Sequence, residues 1–121
     1  MVGSLLSGRR MLIVEDEMLV LMDMEDTLAD LGCASVAAAT VKQALTLIDA
    51  QTFDAAMLDM NLNGDQTHVV ADALAARGVP FVFSTGYVGH VMWDGYCDRP
   101  VLRKPFRSTD LVEALTRLLA R

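Results

Sequence analysis

Residues that could do chemistry fall at four places in this 121-residue chain. The adjacent acids Glu15 and Asp16 follow the apolar run Met11-Leu12-Ile13-Val14. Asp59 follows Ala55-Ala56-Met57-Leu58, Ser84 and Thr85 follow Phe81-Val82-Phe83, and Lys104-Pro105 follows Pro100-Val101-Leu102. Each place alone has an ordinary reading: solvated charge at a helix start, a carboxylate bonding loop amides, the end of a strand. Together, at successive strand ends, they argue for one site. Three carboxylates crowded at one point repel one another and raise one another's pKa unless a cation intervenes. Mg²⁺ is the natural cation, a hard ion that takes oxygen ligands, keeps several waters and needs only one or two carboxylates.

The elements that must position these groups alternate between two periodicities. Met11–Val14 reads as a buried strand, and Glu17–Leu31 as a helix with Val20, Met24, Leu28 and Leu31 at helical spacing. Asp16 could also serve that helix's N-terminus, and Gly32 suits its C-terminal end. Ser35–Ala39 is a weak second strand. Thr40 caps a helix to about Ala50, with Val41, Ala44, Leu45 and Ile48 on one face. Ala55–Leu58 is the third strand, with a loop at Asn61–Asp65. Helix three covers His68–Ala76, and Phe81–Ser84 is strand four. A short fifth strand lies at Pro100–Leu102, and Ser108 or Thr109 caps a last helix through Leu119. Tyr87–Arg99, with Gly89 and Gly95 inside it and Gly86 just before, has no sustained helical stripe and reads as a loop with at most one helical turn. Repeated β-α units with doubly apolar strands predict an α/β fold with a parallel sheet and helices on both faces. In such folds the site lies past the carboxyl ends of the strands.

Composition narrows the function classes. The length suits one domain, and 53% hydrophobic residues suffice for a sheet buried on both faces. The net charge of -6 opposes contact with phosphate backbones, so no nucleic-acid partner is expected. Cys33 and Cys97 stand outside any metal-ligand or redox spacing and read as free thiols in a reducing cytoplasm. No apolar run reaches the roughly 20 residues of a membrane span. Residues 1–9 read as an N-terminal tail or linker and residues 10–121 as the domain.

The runs Leu12-Ile13-Val14-Glu15-Asp16-Glu17, Met57-Leu58-Asp59-Met60-Asn61, Ser84-Thr85-Gly86 and Leu102-Arg103-Lys104-Pro105-Phe106 resemble the receiver domain of two-component response regulators. The likeness runs from about Arg10 to Leu119. Pro80-Phe81-Val82-Phe83-Ser84-Thr85-Gly86-Tyr87 further resembles its "FAT GUY" subgroup, in which the fourth helix is weak or replaced by a loop. The resemblance implies a doubly wound five-stranded sheet of order 2-1-3-4-5. It implies that Asp59 is the phosphoacceptor and a metal ligand. Asp16 and the Asn61 backbone carbonyl would ligate Mg²⁺, with Glu15 acting through a water. Thr85 and Lys104 would bind the phosphoryl oxygens and switch. Asn61 and Tyr87 would frame the path of the hydrolytic water, Tyr87 shielding it.

Such a chain takes its phosphoryl group from a histidine kinase or a histidine phosphotransfer protein and is no enzyme beyond catalysing its own phosphorylation and dephosphorylation. It would be a stand-alone receiver or the receiver of a hybrid histidine kinase, with a monomer favoured. Two departures from the family pattern stand out. The usual proline after the phosphoacceptor is absent, Asn63-Gly64 making the turn, and Val101 occupies the position where an aromatic ring usually reports activation. The rival reading, an Asp-nucleophile phosphohydrolase, needs a second acid two residues after the nucleophile, where this chain has Asn61. A flavin-binding domain would need a hydroxyl- and glycine-rich phosphate loop where Glu15-Asp16-Glu17 stands.

Overall fold

A computed structural model describes residues 5–62, 64–86, 95–96 and 98–120. The strands are β1 (Arg10–Val14), β2 (Ala34–Ala38), β3 (Ala55–Asp59), β4 (Asn61–Leu62), β5 (Asp65–Gln66), β6 (Phe81–Thr85) and β7 (Val101–Arg103). The helices are α1 (Met18–Asp30), α2 (Val41–Ala50), α3 (His68–Ala76) and α4 (Ser108–Leu119). Five strands form one parallel sheet of order β2-β1-β3-β6-β7. Set apart from the two-residue strands β4 and β5, which pair only with each other, this is the expected order 2-1-3-4-5.

Side chains of a strand alternate between faces, so a strand covered on both sides must be apolar throughout. The three inner strands obey this: Met11–Val14, all of β3 and all of β6 are buried. Leu12, Val14, Ala56, Leu58, Phe81 and Phe83 join a core with Ala44 and Ile48 of α2 and Val70, Ala71 and Leu74 of α3. Met11, Ile13, Ala55, Met57 and Val82 join a second core with Leu21, Met24 and Leu28 of α1 and Leu111, Val112, Leu115 and Leu118 of α4. The edge strands β2 and β7 are only partly covered, which is why their sequence signals are weak.

Local chemistry sets the element ends. Thr40 Oγ1 accepts the Gln43 N–H at 3.1 Å, the expected cap of α2. Gly32, at φ +75°, ends α1: its N–H reaches the Ala29 carbonyl while the Cys33 N–H reaches Leu28. The start of α4 differs from expectation. Arg107 holds the cap position rather than Ser108 or Thr109, and the Asp110 carboxylate accepts the Arg107 N–H at 2.9 Å. The side chain of an acid in the first turn satisfies an amide there and faces the positive helix end. The expected loop at Asn61–Asp65 instead contains the small β4–β5 hairpin, with Gly64 at φ +90° in its turn. The expectations for Asn63, Cys97 and Tyr87–Asp94, including the weak fourth helix, lie outside the described residues. Cys33 is a buried free thiol.

The lead-in segment contributes to the core. Leu6 is fully buried among the α1, α4 and sheet side chains, and the Gly8 N–H bonds the Gly32 carbonyl at 2.9 Å. Leu6→Ala is expected to cost about 3 kcal/mol of stability by cavity formation. Urea denaturation of the two proteins measures the difference; a tail that merely leads into the fold would give no change.

Candidate functional site

The parallel sheet places the carboxyl ends of its strands on one edge, and the residues predicted from sequence meet there. Glu15 and Asp16 follow β1, Asp59 ends β3, Thr85 ends β6 and Lys104 follows β7. Ligand atoms of Glu15, Asp16 and Asp59 all lie within 4.8 Å of one another. Asp59 is in register with Ser84, which brings Thr85 beside it in the sheet, and the Lys104 N–H bonds the Thr85 carbonyl at 2.8 Å. That backbone bond ties the end of β7 to the end of β6 and carries the lysine toward the acids. The Lys104–Pro105 peptide is cis.

Lys104 Nζ donates to Glu15 Oε1 at 2.6 Å, Asp59 Oδ2 at 2.8 Å and Glu17 Oε1 at 2.9 Å. Burial alone would lower the lysine's pKa; the hydrogen bonds to Asp59, Glu15 and Glu17 outweigh it and hold the ammonium above its usual range. Asp59 Oδ1 accepts the Asn61 N–H at 3.0 Å, so both of its oxygens are oriented. Asn61 spends its side chain on the hairpin, Oδ1 accepting the Gly64 N–H at 2.9 Å.

Glu15 is fully buried, and its Oε2 has no hydrogen-bond partner among the described residues. Burial first, and then the adjoining Asp59 carboxylate, push its pKa from 4.5 to about 8, with Lys104 opposing. An acidic oxygen held out of water beside two further carboxylates is what a divalent ion with oxygen ligands requires, so the residues present fit such an ion. One ammonium does not balance this group.

Three contributors were not singled out from sequence. Glu17 shares Lys104, although it stood in view in the run Glu15-Asp16-Glu17. Thr67, fully buried, donates its hydroxyl to the Asp59 carbonyl at 2.6 Å; nothing in the sequence marks a lone threonine eight residues on. Tyr96 packs against Phe81, Phe83 and His68, and its hydroxyl bonds Asp72 Oδ1 at 2.6 Å. Burial, then Asp72, push that phenol up to about 12. Val101 sits on the edge strand, 39% exposed. Tyr87, expected to shield the site, lies outside the described residues.

The buried Glu15 has a measurable consequence. Unfolded, it loses its proton near 4.5; folded, it keeps it to about 8. Between those values the folded state binds more protons, so stability falls as pH rises, by at most about 1.4 kcal/mol per pH unit. Without added metal, the melting temperature is expected to fall from pH 4.5 to 8, and Glu15→Gln to remove that part of the slope. Thermal melts across the range test this; equal slopes in the two proteins would contradict it.

The model of the response regulator receiver domain matches residues 11–116. No curated protein matches the chain. The solution structure of SdrG from Sphingomonas melonis Fr1 is 44% identical, with 96% of this chain and 98% of that one covered and a TM-score of 0.81. The BeF3-activated conformation of SdrG from Pseudomonas melonis Fr1 is 45% identical over 91% and 95% of the two chains, with a TM-score of 0.75. A response regulator receiver protein from Sinorhizobium medicae WSM419 is 26% identical over 93% and 94%, with a TM-score of 0.82. With the sheet order, the acid cluster and the lysine all in the expected places, this chain belongs to the response regulator receiver domain family.

Proposed function

We propose that Asp59 is the phosphoacceptor of a two-component phosphorelay and that Mg²⁺ assists it. The observation that carries this reading is the Asp59 carboxylate, buried at a strand end with one oxygen on the Asn61 amide and the other on Lys104. Asp16 and Asp59, with the Asn61 backbone carbonyl, would hold the ion, and Glu15 would meet it through a water. When bound, the ion neutralises the acid cluster and the charge on the transferring phosphoryl group.

The chain's own residues supply positioning and charge. The Asp59 carboxylate attacks phosphorus; the bond from phosphorus to the donor nitrogen breaks, and the donor imidazole leaves with the electron pair. An acyl phosphate results, which water later cleaves to return the carboxylate and free phosphate. While the acyl phosphate lasts, Lys104 moves its ammonium from Asp59 to a phosphoryl oxygen, and the Thr85 hydroxyl bonds another. Because Thr85 ends the strand that carries Phe81 and Phe83, that movement passes toward Tyr96. The side chain of residue 61, an amide occupied in its own turn, offers no acid for leaving-group protonation, which disfavours the phosphohydrolase reading.

The donor is a histidine-phosphorylated protein, a kinase or a phosphotransfer protein. Met18, Leu19 and Met22, at 64%, 83% and 52% exposure, border the site at the start of α1 and offer it an apolar landing.

Acetyl phosphate with Mg²⁺ is expected to add one phosphoryl group, and Asp59→Asn to abolish it; intact-mass spectrometry reads both, and a labelled variant would reject the assignment. Mg²⁺ is expected to raise the melting temperature, and Asp16→Ala to lose most of the rise. Leu19→Glu is expected to slow transfer from a phosphorylated donor protein about tenfold while leaving labelling by acetyl phosphate alone. Equal slowing with both donors would count against a landing surface there.

A further inference from the structure

Asp59 is held by its backbone as well as by its carboxylate. The register between β1 and β3 ends at Val14 with Leu58, one residue short of Asp59. The Asp59 carbonyl instead receives the Thr67 hydroxyl at 2.6 Å. Thr67 stands at the cap position of α3, where a threonine oxygen ordinarily accepts an amide of the first turn. Here its side chain makes no such bond. The hydroxyl is thus diverted from the helix to the residue that carries the reactive carboxylate, and it is fully buried.

That bond closes a small ring of structure. From Asp59 the chain runs through Asn61 and Leu62, turns at Gly64, and returns as Asp65–Gln66, with Asn61 opposite Gln66. Met60 and Leu62 anchor it in the core. Asn61 N–H to Asp59 Oδ1 spans the ring on one side and Thr67 Oγ1–H to the Asp59 carbonyl ties its base. The loop lacks the proline that commonly stiffens it in this family, and position 63–64 is Asn-Gly. Hydrogen bonds must therefore hold what a restricted φ would otherwise hold.

We propose that Thr67 is a positioning residue for the phosphoacceptor: its hydroxyl pins the Asp59 carbonyl, and so fixes the backbone that presents both the Asp59 carboxylate and the Asn61 carbonyl. This rests on Asp59 being the phosphoacceptor. Thr67 touches neither the carboxylate nor a phosphoryl group; it acts through the backbone of Asp59. A misaimed nucleophile slows the chemical step at saturation more than it weakens donor binding.

The test measures phosphorylation by acetyl phosphate at saturating Mg²⁺ in wild type, Thr67→Val, Thr67→Ser and Asp59→Asn. Valine keeps the branched shape and loses the hydroxyl; serine keeps the hydroxyl and loses a methyl. Thr67→Val is expected to lower the maximal rate about tenfold with little change in the half-saturating donor concentration. Thr67→Ser is expected to stay within about twofold of wild type although it is less stable, because the rate follows the hydroxyl and not the packing. In ¹⁵N NMR spectra without donor, the Asn61 amide, which reports the bond to Asp59 Oδ1, is expected to shift in the valine variant and to hold in the serine variant. Thr67→Val at the wild-type rate, or Thr67→Ser as slow as Thr67→Val, overturns the proposal while a dead Asp59→Asn leaves the phosphoacceptor reading standing. Labelled Asp59→Asn overturns both. Should the valine variant fail to fold, the serine variant decides: near-normal rate at lowered stability supports the role, and a tenfold loss overturns it.

Discussion

One ammonium faces three carboxylates at the edge of this sheet, and the rest of the site is arranged around that imbalance. Lys104 bonds Glu15, Glu17 and Asp59, while Asp16 adjoins the same cluster. Ions taken out of water are stable only when their partners are close and their remaining lone pairs satisfied. Glu15, fully buried with one oxygen lacking a partner among the described residues, does not meet that condition. The protein therefore carries an electrostatic debt at rest. A cation relieves it, and in the proposed reaction a transferred phosphoryl group would add further negative charge and compete with Asp59 for Lys104. A site balanced without a cation would have no such response to give.

The imbalance is tolerated because the scaffold beneath it is rigid. β1, β3 and β6 are buried on both faces, and their side chains alternate between two separate cores. Sliding any of these strands by one residue would exchange its two faces and send its terminal polar group into a core. The register that satisfies packing is also the one that puts Asp59 beside Ser84 and Thr85 next along the strand. Packing energy far from the edge thus holds the carboxylates in a geometry they would not adopt by themselves.

The face beside β7 shows how a departure from a family pattern is accommodated. Val101 is partly exposed and makes no ring available at the edge. An aromatic ring enters the same region from Tyr96, packed against Phe81 and Phe83 of β6 and bonded to Asp72 of α3. The Arg99 guanidinium lies over Phe81 at 4.6 Å, so the segment entering β7 is fastened to β6 by stacking. Phe83 stands two residues before Thr85 on the same strand and face. The aromatic contact and the Thr85 hydroxyl are therefore carried by one rigid element.

Much of this was legible in the residues themselves. Doubly apolar runs mark β1, β3 and β6 because inner strands of a parallel sheet must be apolar on both faces, and Thr40 and Gly32 mark helix ends because their own backbone and side-chain chemistry is local. The placement of the candidate site residues was legible for a related reason: each follows a strand, and parallel strands bring those ends together. What depended on distance in sequence was not. The Thr67 hydroxyl on Asp59, the Tyr96 contacts across to α3 and the burial of Leu6 beneath α1 and α4 join segments whose own composition carries no mark of the partner. The β4–β5 hairpin is likewise invisible, since two residues per strand give no period to read. Local propensity and periodicity are properties of a short window; a hydrogen bond between a lone threonine and a carbonyl eight residues away exists only once the chain has folded back on itself.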